Sequence, residues 1–202
     1  MNKKSIAFIG FDLETLELLE SNETYNIKGY FDFEKASYDD INYLGDDSQF
    51  ENISSEIDEV VMTMDSSVLR EKLYQIYKDK ITSYVFHKSS NISKRADIGA
   101  GSVIQANTLV STYSKIGLGC FINHNACIHH ESTIGDFSIV APSAVVLGRV
   151  EIGKKCYIGA GSIIKENVKI GSNVIIGAGS VVVNDIEDNS TVVGNPAKRY
   201  LL

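Results

Sequence analysis

The chain has 202 residues, 44% of them apolar, with two prolines, three cysteines and a formal net charge of −7. This length holds one or two domains, and the composition is that of a soluble globular protein. The acidic balance and the absence of a Lys/Arg cluster argue against a nucleic-acid surface. The apolar run at residues 6–9 is too short for a signal peptide or a membrane span, so a cytoplasmic protein without membrane insertion is expected.

Residues 5–11 read as an apolar strand and 12–19 as a short helix with Leu13, Leu16, Leu18 and Leu19 on its apolar side. A second strand spans 26–33, and the acidic stretch 38–58 reads as a loop with a weak helix. A third strand covers 57–64. A helix follows over 65–77, capped by Asp65 or Ser66, with Leu69, Leu73 and Ile76 at helical spacing. Residues 83–87 read as a fourth strand. The alternation predicts a small parallel α/β domain over residues 1–88.

The first strand-to-helix turn, Gly10-Phe11-Asp12-Leu13-Glu14-Thr15, stands where helix N–H groups hold phosphates. One glycine and two acids make a poor diphosphate cradle, so a plain turn is an equal reading. Asp32, at the end of the second strand, is better placed to accept hydrogen bonds from a ribose or a base. A surface acid at a strand end is its alternative.

From Ile92 to Val182 every sixth residue is Ile or Val, with nothing inserted. Four positions after these members come mostly small residues such as Ser102, Thr108, Cys120, Ala126 and Ser138, and Ile-Gly recurs at Ile98, Ile116, Ile134, Ile152 and Ile170. Such a repeat fixes the architecture before anything else. A period of six suits a short strand plus a corner, and three units close one coil of eighteen residues. Stacked coils satisfy each other's backbone groups and line up the aliphatic side chains as one core over residues 89–202. The Gly after the aliphatic residue is expected to ease a corner that needs a positive φ.

Three of the four histidines fall within Asn123-His124-Asn125-Ala126-Cys127-Ile128-His129-His130-Glu131. On the repeat, His124 and His130 sit near corners and point away from the core. Glu131 is placed to hydrogen-bond and orient the His130 ring, and imidazole titrates where general bases work. One coil above His130 stands Gly148, whose missing side chain leaves room for a ligand or serves a backbone turn. Cys120 and Cys156 fall on inward positions. Cys127 lies off them, and a nucleophilic role for it is the weaker reading. A zinc site would need a histidine in the next coil, where Ile139 and Val140 stand, so no metal is expected.

The stretches Asn123-His124-Asn125, His129-His130-Glu131-Ser132-Thr133-Ile134-Gly135-Asp136-Phe137 and Gly194-Asn195-Pro196-Ala197-Lys198 carry a family resemblance. The chain resembles the NeuD/PglD-like sialic-acid O-acetyltransferases and nucleotide-aminosugar N-acetyltransferases of bacterial glycan biosynthesis. The resemblance implies a small Rossmann-like domain followed by a left-handed parallel β-helix of hexapeptide repeats, assembled as a homotrimer. It implies acetyl-CoA as co-substrate and His130 as general base, with Glu131 beside it. It places acetyl-CoA in a groove between subunits, lined by Ile139, Gly148, Ala160 and Ala178, and turns Asn123 to the acceptor sugar, with Gly10 and Asp32 on the nucleotide side. A backbone N–H of a neighbouring coil would serve the oxyanion.

The implied reaction is acetylation of the amine of a nucleotide-linked 4-amino-sugar. O-acetylation of a sialic-acid-like sugar is the alternative, with a non-catalytic scaffold or a zinc lyase as further classes. The chain departs from the family pattern at Ile139, where some relatives carry histidine, in the glycine-poor first turn, and at Phe33, where others carry an acid.

Overall fold

A computed structural model describes residues 3–37 and 41–200, so residues 38–40 of the expected acidic loop lie outside the described part. The first part contains β1 (Lys4–Ile9), α1 (Leu13–Ser21), β2 (Tyr25–Phe31), β3 (Tyr43–Gly45), α2 (Phe50–Ile53), β4 (Glu59–Met62) and α3 (Ser67–Tyr77). The sheet order is β3-β2-β1-β4 and all its pairings are parallel. Central β1 is covered on both faces, and Ile6, Ala7 and Phe8 are fully buried, as parallel strands require. Strand β3 lies in the stretch read as loop and weak helix. Three residues carry too little alternation to reveal a strand, while α2 and the flanking single turns match the weak helix.

Asp12 caps α1, its Oδ2 accepting from Thr15 N at 2.8 Å, and Ser66 Oγ caps α3 by accepting from Leu69 N at 3.2 Å. The buried face of α3 differs from the expected one. It is Arg70, Leu73 and Tyr77, while Leu69 and Ile76 are 42% and 60% exposed. The reading by hydropathy held for Leu73 and failed at Leu69 and Ile76, because a charged side chain is turned inward beside it.

The expected fourth strand does not join this sheet. Val85–Phe86 pairs in parallel with Val103–Ile104 and opens the coils, a few residues ahead of the boundary at 88/89. From there two-residue strands stack in three parallel sheets. Ile116 faces Ile98 on one side and Ile134 on the other, eighteen residues away in each direction. The aliphatic series from Ile104 to Val182 forms one buried column. The small inward residues are buried too, and the serines among them do more than save space. Ser102, Ser132 and Ser138 donate their hydroxyls to the carbonyls of Gly117, Leu147 and Gly153 at 2.8, 2.7 and 3.0 Å. These polar core positions are thereby satisfied without water, whereas the buried hydroxyl of Ser162 has no partner among the described residues. After Val182 two residues drop out of the count, so that Ile186 bridges Ile170 and Val192 faces Ile176.

The corner geometry corrects one expectation. Positive φ falls three positions after each aliphatic residue from Ile98 to Ile176, at Gly101, Asn107, Asn125, Glu131 and Asn167 among others. The glycines directly after the aliphatic residue have ordinary φ and serve close approach instead. A Cβ on Gly135 would lie 2.5 Å from the carbonyl carbon of Gly153 in the next coil.

The α/β part and the coils share a core. Ile6, Phe8, Leu16 and Tyr30 pack with Val103, Phe121 and Ile139 of one coil face. This contact sets the α/β part against the coils beside the site.

Candidate active site

His130 stands on a coil corner with its side chain 43% exposed, and its Nδ1 lies 3.0 Å from Glu131 Oε2. A carboxylate only accepts, so in the neutral ring this contact places the proton on Nδ1 and leaves the Nε2 lone pair open. The hydrogen bond from His130 holds the Glu131 carboxyl below the usual carboxylate range. Partial desolvation opposes this, and Arg149, 3.5 Å away, reinforces it. Arg149 is in turn fixed by Asn167, its Nε donating to Oδ1 at 2.9 Å.

Gly148 is buried directly over this ring. A Cβ there would lie 2.7 Å from both Cε1 and Nε2 of His130. The space over the histidine is therefore filled by the imidazole itself. The missing side chain makes room for the ring.

A second feature lies at the carboxyl ends of β1 and β4, where the strand order reverses; open parallel sheets bind ligands at this kind of point. A cleft of about 590 Å³ runs from Phe11, Asp12, Glu14, Thr63, Met64 and Asp65 across to Phe121, Asn123, Ile139, Ala141, Pro142 and Tyr157 of the coils. A neighbouring hollow of about 300 Å³ adds Gly10, Asp32, Phe33 and Leu69. Thr63 belongs to both, is 6% exposed, and its hydroxyl has no partner among the described residues. Sequence reasoning missed it, because a threonine ending a strand carries no pattern. His124 Nδ1 lies 3.5 Å from Glu14 Oε2 and links the coil corner to the start of α1.

The sequence-predicted acceptor residues come together here. Gly10 has φ +82°, and a Cβ on it would crowd Thr63 Oγ1 at 3.0 Å. Asp32 is tied to the backbone, its Oδ2 accepting from Phe11 N at 3.0 Å and its Oδ1 from Phe33 N at 2.6 Å. It shapes the β1–α1 turn before it meets any ligand. Asn123 lines the cleft and donates to Val140 O at 3.2 Å.

The four residues expected along the cofactor do not share one surface of a single chain. Ile139 is buried under the α/β part and lines the cleft with Asn123. Gly148 is buried against the ring of His130. Ala160 and Ala178 are exposed, stacked one coil apart, with Gly179 N donating to Ala160 O at 2.8 Å. They share the column of His124 and Pro142, one corner away from His130. A more open hollow of about 640 Å³ over Glu151, Lys169 and Asp185 contains none of these residues.

Cys120 is fully buried and burial pushes its thiol up to about 12, which suits packing and not nucleophilic work. Among the described residues no group of three or more His, Cys, Asp or Glu is arranged to hold a metal ion. Among them, too, no helix is long and apolar enough to cross a membrane.

The profile of the bacterial transferase hexapeptide family (six repeats) matches residues 149–184. The structure is similar to the acetyltransferase domain of PglB from Neisseria gonorrhoeae FA1090 in complex with acetyl coenzyme A. The TM-score is 0.92 at 27% identity, over 98% of this chain and 100% of that one. It is also similar to PerB from Caulobacter crescentus in complex with CoA and GDP-perosamine, with TM-score 0.90 and 24% identity over 97% of each chain. WeeI from Acinetobacter baumannii AYE gives 0.79 at 24% identity, over 98% of this chain and 100% of that one. For the last two the likeness is one of fold. A search among curated proteins finds no match to the sequence.

Proposed function

We propose that this hexapeptide-repeat sugar acetyltransferase moves the acetyl group of acetyl-CoA to the amine of a nucleotide-linked 4-amino-sugar, with His130 as general base. The observation that carries the reading is the His130–Glu131 pair, which presents Nε2 as a free base on a rigid corner. As the amine nitrogen bonds to the acetyl carbon, Nε2 takes its proton. The C–S bond breaks and the sulfur departs with the electron pair. Glu131, held ionised, stabilises the imidazolium. A positioned base of this kind contributes roughly 10²–10⁴-fold.

The cleft at the carboxyl ends of β1 and β4 is the acceptor site in this reading, and the order β3-β2-β1-β4 is read as a Rossmann-like half. Asp12, Glu14 and Asp65 line the cleft. In PerB the CoA and GDP-perosamine of its complex name a nucleotide amino-sugar, and this chain shares that fold.

The proposal includes a homotrimer. The His130 corner and the Ala160/Ala178 corner flank one coil face, and a neighbouring subunit over that face would bring a CoA surface beside the base. The cytoplasm, where acetyl-CoA and nucleotide sugars are made, is the proposed location. The deciding experiment is thiol release from acetyl-CoA against UDP- and dTDP-linked 4-amino-sugars, free amino-sugars and free sialic acids. Turnover on a nucleotide amino-sugar is expected. Turnover confined to sialic acids would establish O-acetylation instead.

A further inference from the structure

Arg70 is the largest fully buried side chain, 1% exposed, and no carboxylate pairs with it among the described residues. Its three partners are main-chain carbonyls in three different places. Nε donates to Gly119 O at 3.1 Å, Nη1 to Met64 O at 3.1 Å and Nη2 to Phe137 O at 2.9 Å. Burial first of all lowers its pKa, to about 10.

The three carbonyls belong to segments that lead into both walls of the acceptor cleft. Met64, which follows β4, lines one wall together with Thr63 and Asp65. Gly119 and Phe137 are left-handed corners of successive coils, with φ of 58° and 59°. Each lies two residues before a residue of the opposite wall, Phe121 and Ile139. We infer that Arg70 is a positioning residue: it holds the two walls of the acceptor cleft at a fixed spacing, and so sets where the acceptor stands against the coils. This rests on the reading of the cleft as the acceptor site.

Docking alone does not need a buried cation. The shared apolar core already joins the α/β part to the coils, and the Lys155–Glu71 ion pair at 2.5 Å and the edge-to-face contact of Tyr74 with Phe137 join α3 to them. Apolar contacts tolerate sliding, whereas three directional bonds from one planar fork do not. A shift of about 1 Å in a reacting group can cost about a hundredfold in rate. Lysine keeps the charge but has no fork, and methionine keeps much of the volume but has no donor.

The test compares Arg70→Lys and Arg70→Met with the full-length wild type. It reads amide exchange over residues 63–66, the KM for amino-sugar and for acetyl-CoA, and the melting temperature. Faster exchange over 63–66 with an unchanged coil is expected, together with an acceptor KM raised at least tenfold in Arg70→Met and less in Arg70→Lys. The KM for acetyl-CoA should stay within twofold. Unchanged exchange and unchanged acceptor KM, even with a lowered melting temperature, would reduce Arg70 to a structural role and overturn the inference. An equal rise in both KM values would do the same. If Arg70→Met fails to fold, Arg70→Lys decides by the same readouts. A wild type without turnover on any amino-sugar would remove the proposed function, while the exchange would still decide whether Arg70 holds segment 63–66 to the coils.

Discussion

Glu131 Oε2 sits 3.0 Å from His130 Nδ1, and the two residues share one corner of one coil. The short sequence separation means that the base and its orienting acid move as a single unit with the coil. It also means that the pair is complete before any neighbour or ligand arrives. His130→Ala should therefore lower kcat by about 10²–10⁴-fold, with the acetyl-CoA dissociation constant changed less than twofold by calorimetry. Full activity in this variant would sink the assignment of the base.

Gly148 offers a sharper probe of the same ring. A methyl group at this position would lie 2.7 Å from Nε2 and Cε1, so Gly148→Ala must displace the imidazole. The expected result is a fall in kcat of tenfold or more and a stability loss of about 1–3 kcal/mol from overpacking. Wild-type kcat in a folded Gly148→Ala variant would show that the ring's position over Gly148 is irrelevant to the chemistry.

Asp136 gives the pH prediction. Burial alone would raise its pKa, but the hydrogen bond from Lys154 at 2.8 Å and the N–H of Leu118 at 3.0 Å more than offset this and hold it low. A folded pKa below the unfolded one stabilises the protein above the unfolded value. That contribution disappears as pH falls through the folded value. Asp136→Asn should therefore be less stable than wild type in urea at pH 7, and the gap should narrow below about pH 4. A gap of equal size at both pH values would contradict the linkage.

The coils were legible because one aliphatic residue every six positions has a single physical meaning, and the buried column from Ile104 to Val182 follows that count. The His130–Glu131 contact was legible for the same reason, since adjacency on a known lattice fixes geometry. What the pattern did not carry was anything set by contacts between distant segments. The two-residue strand Val85–Phe86 reads the same whether it joins the α/β sheet or the coils. The buried face of α3 was misread because Arg70 answers carbonyls at Gly119 and Phe137, far along the chain. The tie between Asp32 and the N–H of Phe11 was not legible, because Phe11 lies on another strand's turn. The role of glycine after each aliphatic residue depends on the neighbouring coil, which no local rule describes.

The assembly can be tested through the face between the His130 and Ala160 corners. Its outward residues include Cys127, Val145, Ile163 and Val181, and Ile163 is 41% exposed in the single chain. Another coil face leaves Tyr157 and Ile175 exposed at 45% and 49%. Apolar rows of this kind on a rigid surface are covered in stable oligomers. Light scattering should give three times the mass of one chain. Ile163→Glu should yield smaller species that keep their coils by circular dichroism, because the inward column is untouched, and turnover should be lost although His130 and Glu131 are intact. A variant that dissociates to monomer and still turns over acetyl-CoA would show that one chain holds the whole site.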